Sequence, residues 1–217
     1  MSNNSNILKL IENGYAIVPI PYMKKAPTIS GWPKLKVTKQ NFKKHFPENK
    51  KMNVGVMNGK RSGNIVDIDI DSLTALDLAK KYLPKTGLIF GRKSKPYSHW
   101  IYICDKLPKT TKFQSSGGCI IEIRANGTQS VWPGSVHPSK EIIDYQTNDE
   151  PAKVIKEDLE TACKIISIGT ILIDNYPAEG LRNDFALTLA LLKFCLGYIS
   201  LAIRHYVFKL DRVFYRC

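Results

Sequence analysis

The five cysteines of this 217-residue chain, Cys104, Cys119, Cys163, Cys195 and Cys217, are odd in number, scattered and never spaced as CxxC. That argues against a disulfide framework or a zinc knuckle and reads as a reducing compartment. No run reaches the ~18 consecutive apolar residues that a membrane helix requires. The polar start, Met1 to Asn6, leads into Ile7-Leu8-Lys9-Leu10 without a signal-peptide core. The expectation is a soluble, cytoplasmic protein with no membrane partner. Acidic residues are also in the minority: 19 Asp and Glu stand against 32 Lys and Arg, for a net charge of +13 and a pI near 9.5. Such an excess favours a polyanionic partner, most commonly nucleic acid, over the plainer alternative of a lysine-rich proteome.

What the chain does contain is a globular composition, 43% apolar and 24% charged, long enough for one full domain and part of a second. Its most informative stretch is Gly63-Asn64-Ile65-Val66-Asp67-Ile68-Asp69-Ile70-Asp71. Period-2 alternation predicts a strand with Val66, Ile68 and Ile70 on one face and Asp67, Asp69 and Asp71 on the other. Successive carboxylates then lie roughly 6.5 to 7 Å apart, a span that oxygen-liganded cations can bridge. Like charges in a row repel, so the face must be solvated, neutralised by metal or basic side chains, or partly protonated. A solvated acidic strand face is the bland alternative.

Around this strand the pattern predicts a helix over 6–13, a strand over 15–20, a loop with Lys24, Lys25 and Trp32, and a basic helix over 39–46. A strand over 53–57 precedes the acidic one, and Ser72 is a candidate N-cap for a helix through Tyr82. Leu88 to Phe90 is strand-like, Gly91 to Pro96 a basic turn, and Ser98 to Cys104 a strand opening near His99. Lys106 to Ser116 reads as a polar connection. Two strands, 119–124 and 128–132, flank Asn126-Gly127, a strong hairpin signal. Helical patterns follow over 156–173 and 182–197, with an amphipathic tail from Ile199 to Cys217. The order is that of a mixed α/β (α+β) unit with a helical appendage.

If a strand carrying Glu122 pairs beside Asp69 and Asp71, it supplies a third carboxylate to a cation site. Oxygen-only ligands suit Mg²⁺ or Mn²⁺, which take the rest of their shell from water and substrate phosphates. That is the chemistry of nucleotidyl transfer. His99, beside the basic turn with Arg92 and Lys93, is placed to donate to a triphosphate; the alternative is an ordinary packed histidine. Ser135 and His137, after a Pro-Gly turn, are weaker candidates for the same task.

The ordered set Gly14…Val18-Pro19, Lys25-Ala26-Pro27…Gly31-Trp32, Asn53-Val54-Gly55-Val56, Ile68-Asp69-Ile70-Asp71, Phe90-Gly91-Arg92-Lys93-Ser94…Ser98-His99-Trp100…Tyr102, Ile121-Glu122-Ile123-Arg124…Gly127…Gln129…Pro133-Gly134-Ser135-Val136-His137 resembles the bifunctional DNA primase/polymerase family. This is a branch of the archaeo-eukaryotic primase superfamily carried by plasmids, viruses and other mobile elements. The likeness spans about residues 10–150.

The resemblance implies a catalytic domain over 1–150, with an RRM-like sheet packed on an N-terminal αβ unit, and a helical C-terminal segment over 151–217. It implies that Asp69 and Asp71 are paired metal-binding acids with Glu122 as the third, and that His99 contacts the incoming nucleotide. Asp67 stands where the family usually has an apolar residue, so Asp67/Asp69 is the competing pair. The implied substrates are a single-stranded DNA template and dNTP or NTP, joined by primer synthesis, extension or both, with a helicase as a further partner. Gly180 to Asp184 resembles the start of the helical region that follows the catalytic domain, so the chain reads as a compact form or a fragment. Two rival readings are an inactive single-stranded nucleic-acid-binding module and a metal-dependent nuclease.

Overall fold

A computed structural model describes residues 3–177 and 179–187. The chain runs α1 (Asn3–Glu12), β1 (Ile17–Pro21), α2 (Phe42–His45), β2 (Met52–Met57), β3 (Ile65–Ile70), α3 (Leu73–Tyr82), β4 (Leu88–Arg92) and β5 (Lys95–Cys104). It continues through β6 (Thr111–Ser115), β7 (Gly118–Arg124), β8 (Gln129–Val131), β9 (Ile143–Asn148), β10 (Ala152–Val154) and α4 (Lys156–Asp174). Helices cluster against mostly antiparallel sheets, the α+β arrangement that the element order predicts. Among the described residues no helix is long and apolar enough to cross a membrane.

The acidic stretch does form a strand, and β3 lies inside the larger sheet, whose order is β6-β7-β3-β5-β4-β9, with β10 pairing in parallel to β5. Val66, Ile68 and Ile70 point to one face, where they meet Trp100, Tyr102, Ile121 and Ile123 beneath α3 and α4. Ser72 caps α3 by accepting from the Ala75 amide at 3.3 Å. The apolar side of α4, with Leu159, Ala162, Cys163 and Ile166, closes the same core, so β10 and α4 are built onto this sheet. On the opposite face, Ile65, Ile101, Leu88 and Phe90 join a second core with α1, Phe42, Phe46 and Trp132. That core is covered by the smaller antiparallel sheet, β1-β2-β8.

Several details depart from the sequence expectation. The region Lys106 to Ser116 is not only a connection: β6 pairs with β7 from Thr111↔Ile123 to Ser115↔Gly118. Strand β5 opens at Lys95 rather than beside His99, because Arg92↔Lys95 closes a hairpin with β4. Asn126-Gly127 does not join a hairpin; β7 belongs to the large sheet, and β8 pairs with β2 in the small one. Asn126 instead accepts the Lys60 amide at 3.0 Å, so this turn carries the chain between sheets. Residues 182–187 are helical; the rest of the helix expected to 197, and the tail, lie outside the described residues.

The passage from β2 to β3 turns on Gly59, with φ 84° and ψ −148°, a conformation essentially confined to glycine. Its amide donates to Ile65 O at 2.8 Å, and a Cβ there would collide with the Asn126 side chain. Gly59→Ala is therefore expected to destabilise the fold by about 1–3 kcal/mol, read as a lower urea midpoint at unchanged m-value.

Candidate active site

Register places the charged residues before any side-chain detail is considered. Asp69 of β3 lies opposite His99 of β5 and Glu122 of β7, while Lys112 of β6 lies opposite Glu122. Opposed residues in an antiparallel pair share a face. Lys112, Glu122, Asp69 and His99 therefore form one row across the sheet, and Phe90 of β4 continues it beyond His99. One step deeper, Asp67 lies opposite Arg124 and Ile101.

Basic side chains flank the two adjacent acids of the row, and each acid has a basic partner. Asp67, with 0% exposure, contacts His99 Nδ1 through Oδ2 at 3.0 Å and accepts from the Ser130 hydroxyl. Arg124 bridges two acids, with Nη2 at 2.5 Å from Asp69 Oδ2 and Nε at 2.9 Å from Glu122 Oε2. Lys112 Nζ stands 3.7 Å from Glu122 Oε1, and Lys95 Nζ 2.7 Å from Asp71 Oδ1. The His99 ring stacks on Phe90 at 4.8 Å between centroids.

These contacts separate the acids electrostatically. Burial alone would raise Asp67, but His99, Arg124 and the Ser130 hydroxyl outweigh it and hold the carboxyl below its ordinary range. Asp69 is raised: burial leads, Asp67 and Asp71 add to it, and His99 and Arg124 only partly offset it. Asp71 is opposed by burial yet lowered, chiefly by Lys95. Burial disfavours the His99 imidazolium, but Asp67 and Asp69 prevail and its pKa is raised.

This row floors a cleft of about 310 Å³. Asp69, Asp71, Glu122, His99, Arg92 and His137, all singled out from sequence, line it. Asp67 does not; it is sealed beneath His99. Lys93 lies exposed in the β4–β5 turn and outside the lining. Ser135 is buried, its hydroxyl accepting from the Val54 amide at 3.1 Å, which ties its loop to β2. The lining also includes Lys24, Lys25, Lys95, Lys112 and Arg124. The backbone carbonyls of Lys24 and Lys25 are held by Asn53 Nδ2 at 3.2 Å and Gln129 Nε2 at 2.7 Å. On the far wall Glu141 receives the Ser94 amide at 2.7 Å and pairs with Arg92 Nε at 3.2 Å; hydrogen bonds from Ser139 and Ser94 bring its pKa down to about 2. His137, half-buried near Arg92 and Lys25, is lowered, with burial first among the causes.

The site also holds Arg124, Lys112, Ser130 and Glu141, which the sequence pattern does not single out, and Lys95, which it places only in the basic turn. Arg124 had a signal, since a residue two positions from Glu122 on a strand shares its face. The others are brought in by register and loop closure.

Among the described residues no three Asp, Glu, His or Cys side chains form a ready-made metal cage. The donor set nevertheless fits a hard divalent cation. Asp69, Asp71 and Glu122 offer oxygen alone on one cleft floor, and such cations complete their shell with water and phosphate oxygens. Arg124, Lys95 and Lys112 supply the balancing positive charge in this structure.

The family model described as bifunctional DNA primase/polymerase, N-terminal, matches residues 7–161. Among curated proteins none matches the chain.

The raised His99 pKa has a definite sign. The imidazolium's contribution to stability is complete below the unfolded-state value of about 6.5 and is lost as pH rises through the higher folded value. NMR titration of the protein in EDTA should place the His99 midpoint above 6.5, and Asp67→Asn should lower it. A wild-type midpoint at or below the ordinary value would contradict the Asp67–His99 pairing.

Proposed function

The chain belongs to the bifunctional DNA primase/polymerase family, and from that premise we propose that it joins nucleotides on a single-stranded DNA template, by primer synthesis, extension or both. Nucleotidyl transfer on DNA is the activity of the family. The observation that carries the finer reading is the in-register row Lys112–Glu122–Asp69–His99 on the floor of a cleft walled by Lys25, Arg92 and Lys95.

In this reading Asp69, Asp71 and Glu122 hold Mg²⁺ or Mn²⁺. When bound, such ions supply a lowered pKa at the attacking 3′-hydroxyl and neutralise charge on the leaving pyrophosphate. His99 is held by Asp67 through Nδ1, which leaves Nε2 as the nitrogen that donates to a triphosphate oxygen. Asp67 thus positions His99 and leaves ligation to Asp69 and Asp71. Arg92, braced by Glu141, and Lys25 offset the phosphate charge along the walls, with His137 between them. Arg124 keeps Asp69 and Glu122 at a fixed separation. The family resemblance alone supports a setting in the replication of a plasmid, virus or other mobile element.

The direct test supplies a primer-free single-stranded template, labelled dNTP or NTP, and Mg²⁺ or Mn²⁺, with products sized on a gel. Extended products that depend on added nucleotide are expected. Asp69→Ala, Asp71→Ala and Glu122→Ala should each reduce incorporation by about two orders of magnitude or more, since the cations are asked for several kcal/mol of transition-state stabilisation. Full activity in all three variants would sink the assignment, and template cleavage without nucleotide would indicate a nuclease.

Binding offers an independent check. With a net charge of +13, affinity for single-stranded DNA should fall steeply with added salt as phosphate contacts release counterions. Affinity that stays level from about 50 to 200 mM salt would remove the electrostatic groove from the account.

A further inference from the structure

Of the basic side chains that balance the cleft acids, Arg124 and Lys95 are held differently, and Lys112 stands farther off, 3.7 Å from Glu122 and largely exposed. Arg124 is anchored at two points, to Asp69 and to Glu122. Lys95 makes a single ion pair, to Asp71, the outermost acid of the row, whose side chain is 40% exposed while that of Lys95 is 13% exposed. The Cys119 side chain lies next to Asp71 as well. The backbone beneath Lys95 is fixed, because Arg92↔Lys95 closes the β4–β5 hairpin and Glu141 grips the turn through the Ser94 amide and hydroxyl at 2.7 and 2.8 Å. A long, flexible side chain therefore swings from a rigid base, and its ammonium occupies one of the carboxylates assigned to the cation.

We propose that Lys95 is the resident counter-ion of Asp71, yielding that carboxylate when a divalent cation binds and turning to the nucleotide phosphates on the wall it shares with Arg92. The proposal rests on the functional reading above and adds an exchange to it. Lys95 competes with the cation in the empty site and assists once nucleotide is present. Because binding couplings are reciprocal, nucleotide should tighten cation binding more in the wild type than in a variant lacking this ammonium.

The test measures Mn²⁺ binding to the whole chain by calorimetry or electron paramagnetic resonance, without nucleotide. Lys95→Met should bind Mn²⁺ about three- to tenfold more tightly than wild type, the range expected for releasing a partly exposed ion pair. Lys25→Met removes the same charge from an exposed position in the cleft lining and should change affinity less than about twofold, its field being screened by solvent and salt. An unchanged or weaker affinity in Lys95→Met, or a gain equal to that of Lys25→Met, overturns the exchange. Asp71→Asn separates the two ideas: if it leaves wild-type Mn²⁺ affinity untouched, the assignment of the cation to Asp71 fails, whereas weakened binding with no gain in Lys95→Met defeats only the role of Lys95. In the native protein, saturating Mg²⁺ should shift the Lys95 ¹⁵Nζ resonance and leave that of Lys80, paired with Asp77 at 3.3 Å, in place. An unmoved Lys95 signal would count against the exchange even if the variants do not fold.

Discussion

A carboxylate removed from water without a partner costs several kcal/mol, and this chain places a row of them on a strand in the middle of a sheet. The neighbours of β3 follow from that constraint. From one side β5 brings His99 to Asp67 and Asp69, and from the other β7 brings Arg124 to Asp69 and Glu122. Strand β6 adds Lys112, and the β4–β5 hairpin adds Lys95. Without β5, Asp67 would lose the His99 imidazole and keep only the Ser130 hydroxyl and the field of Arg124. Charge compensation thus acts together with packing in the strand order β7-β3-β5, while the apolar row of β3 is satisfied by α3 and α4 on the opposite face.

The three aspartates of the row share a face and differ in depth. Asp67 is at 0% exposure, Asp69 at 6%, and the Asp71 side chain reaches 40%. This gradient reflects where the small sheet ends. Ser130 of β8 closes over Asp67, whereas Asp69 opens onto the cleft and Asp71 stands at its rim. Identical side chains two residues apart thereby acquire different surroundings: the sealed one contacts His99 and the open ones face the cleft.

Much of this was legible in the sequence because strong periodicities survive folding. The alternation of β3, the Ser72 cap and the apolar face of α4 each follow from local spacing, and Glu122 could be placed beside Asp69 by asking which strand brings a third acid. The misses share a physical cause. Strands β6, β9 and β10 carry little apolar pattern, so their pairing partners define them more than their own residues do. Asn126-Gly127 favours a tight turn wherever it occurs, but a turn does not dictate that its flanks pair with each other. Other groups at the site were hidden for a related reason, since Ser130 reaches Asp67, and Glu141 reaches Arg92 and Ser94, only through contacts between remote segments.

The chain passes from β2 of the small sheet to β3 of the large one, returns from β7 to β8, and leaves again for β9. Neither sheet is a contiguous stretch of polypeptide. The small sheet is incomplete until β8 arrives to pair Val131 with Gly55, and the large sheet awaits β9 and β10. On the ribosome, then, the N-terminal third has no finished partner surface, and the acids of β3 leave the exit tunnel well before Arg124 does. Pairings of such long sequence separation form slowly, and an unpaired carboxylate in water is ionised at neutral pH. Charges interspersed in a Val/Ile strand oppose its association with other apolar strands before its own partners have been made.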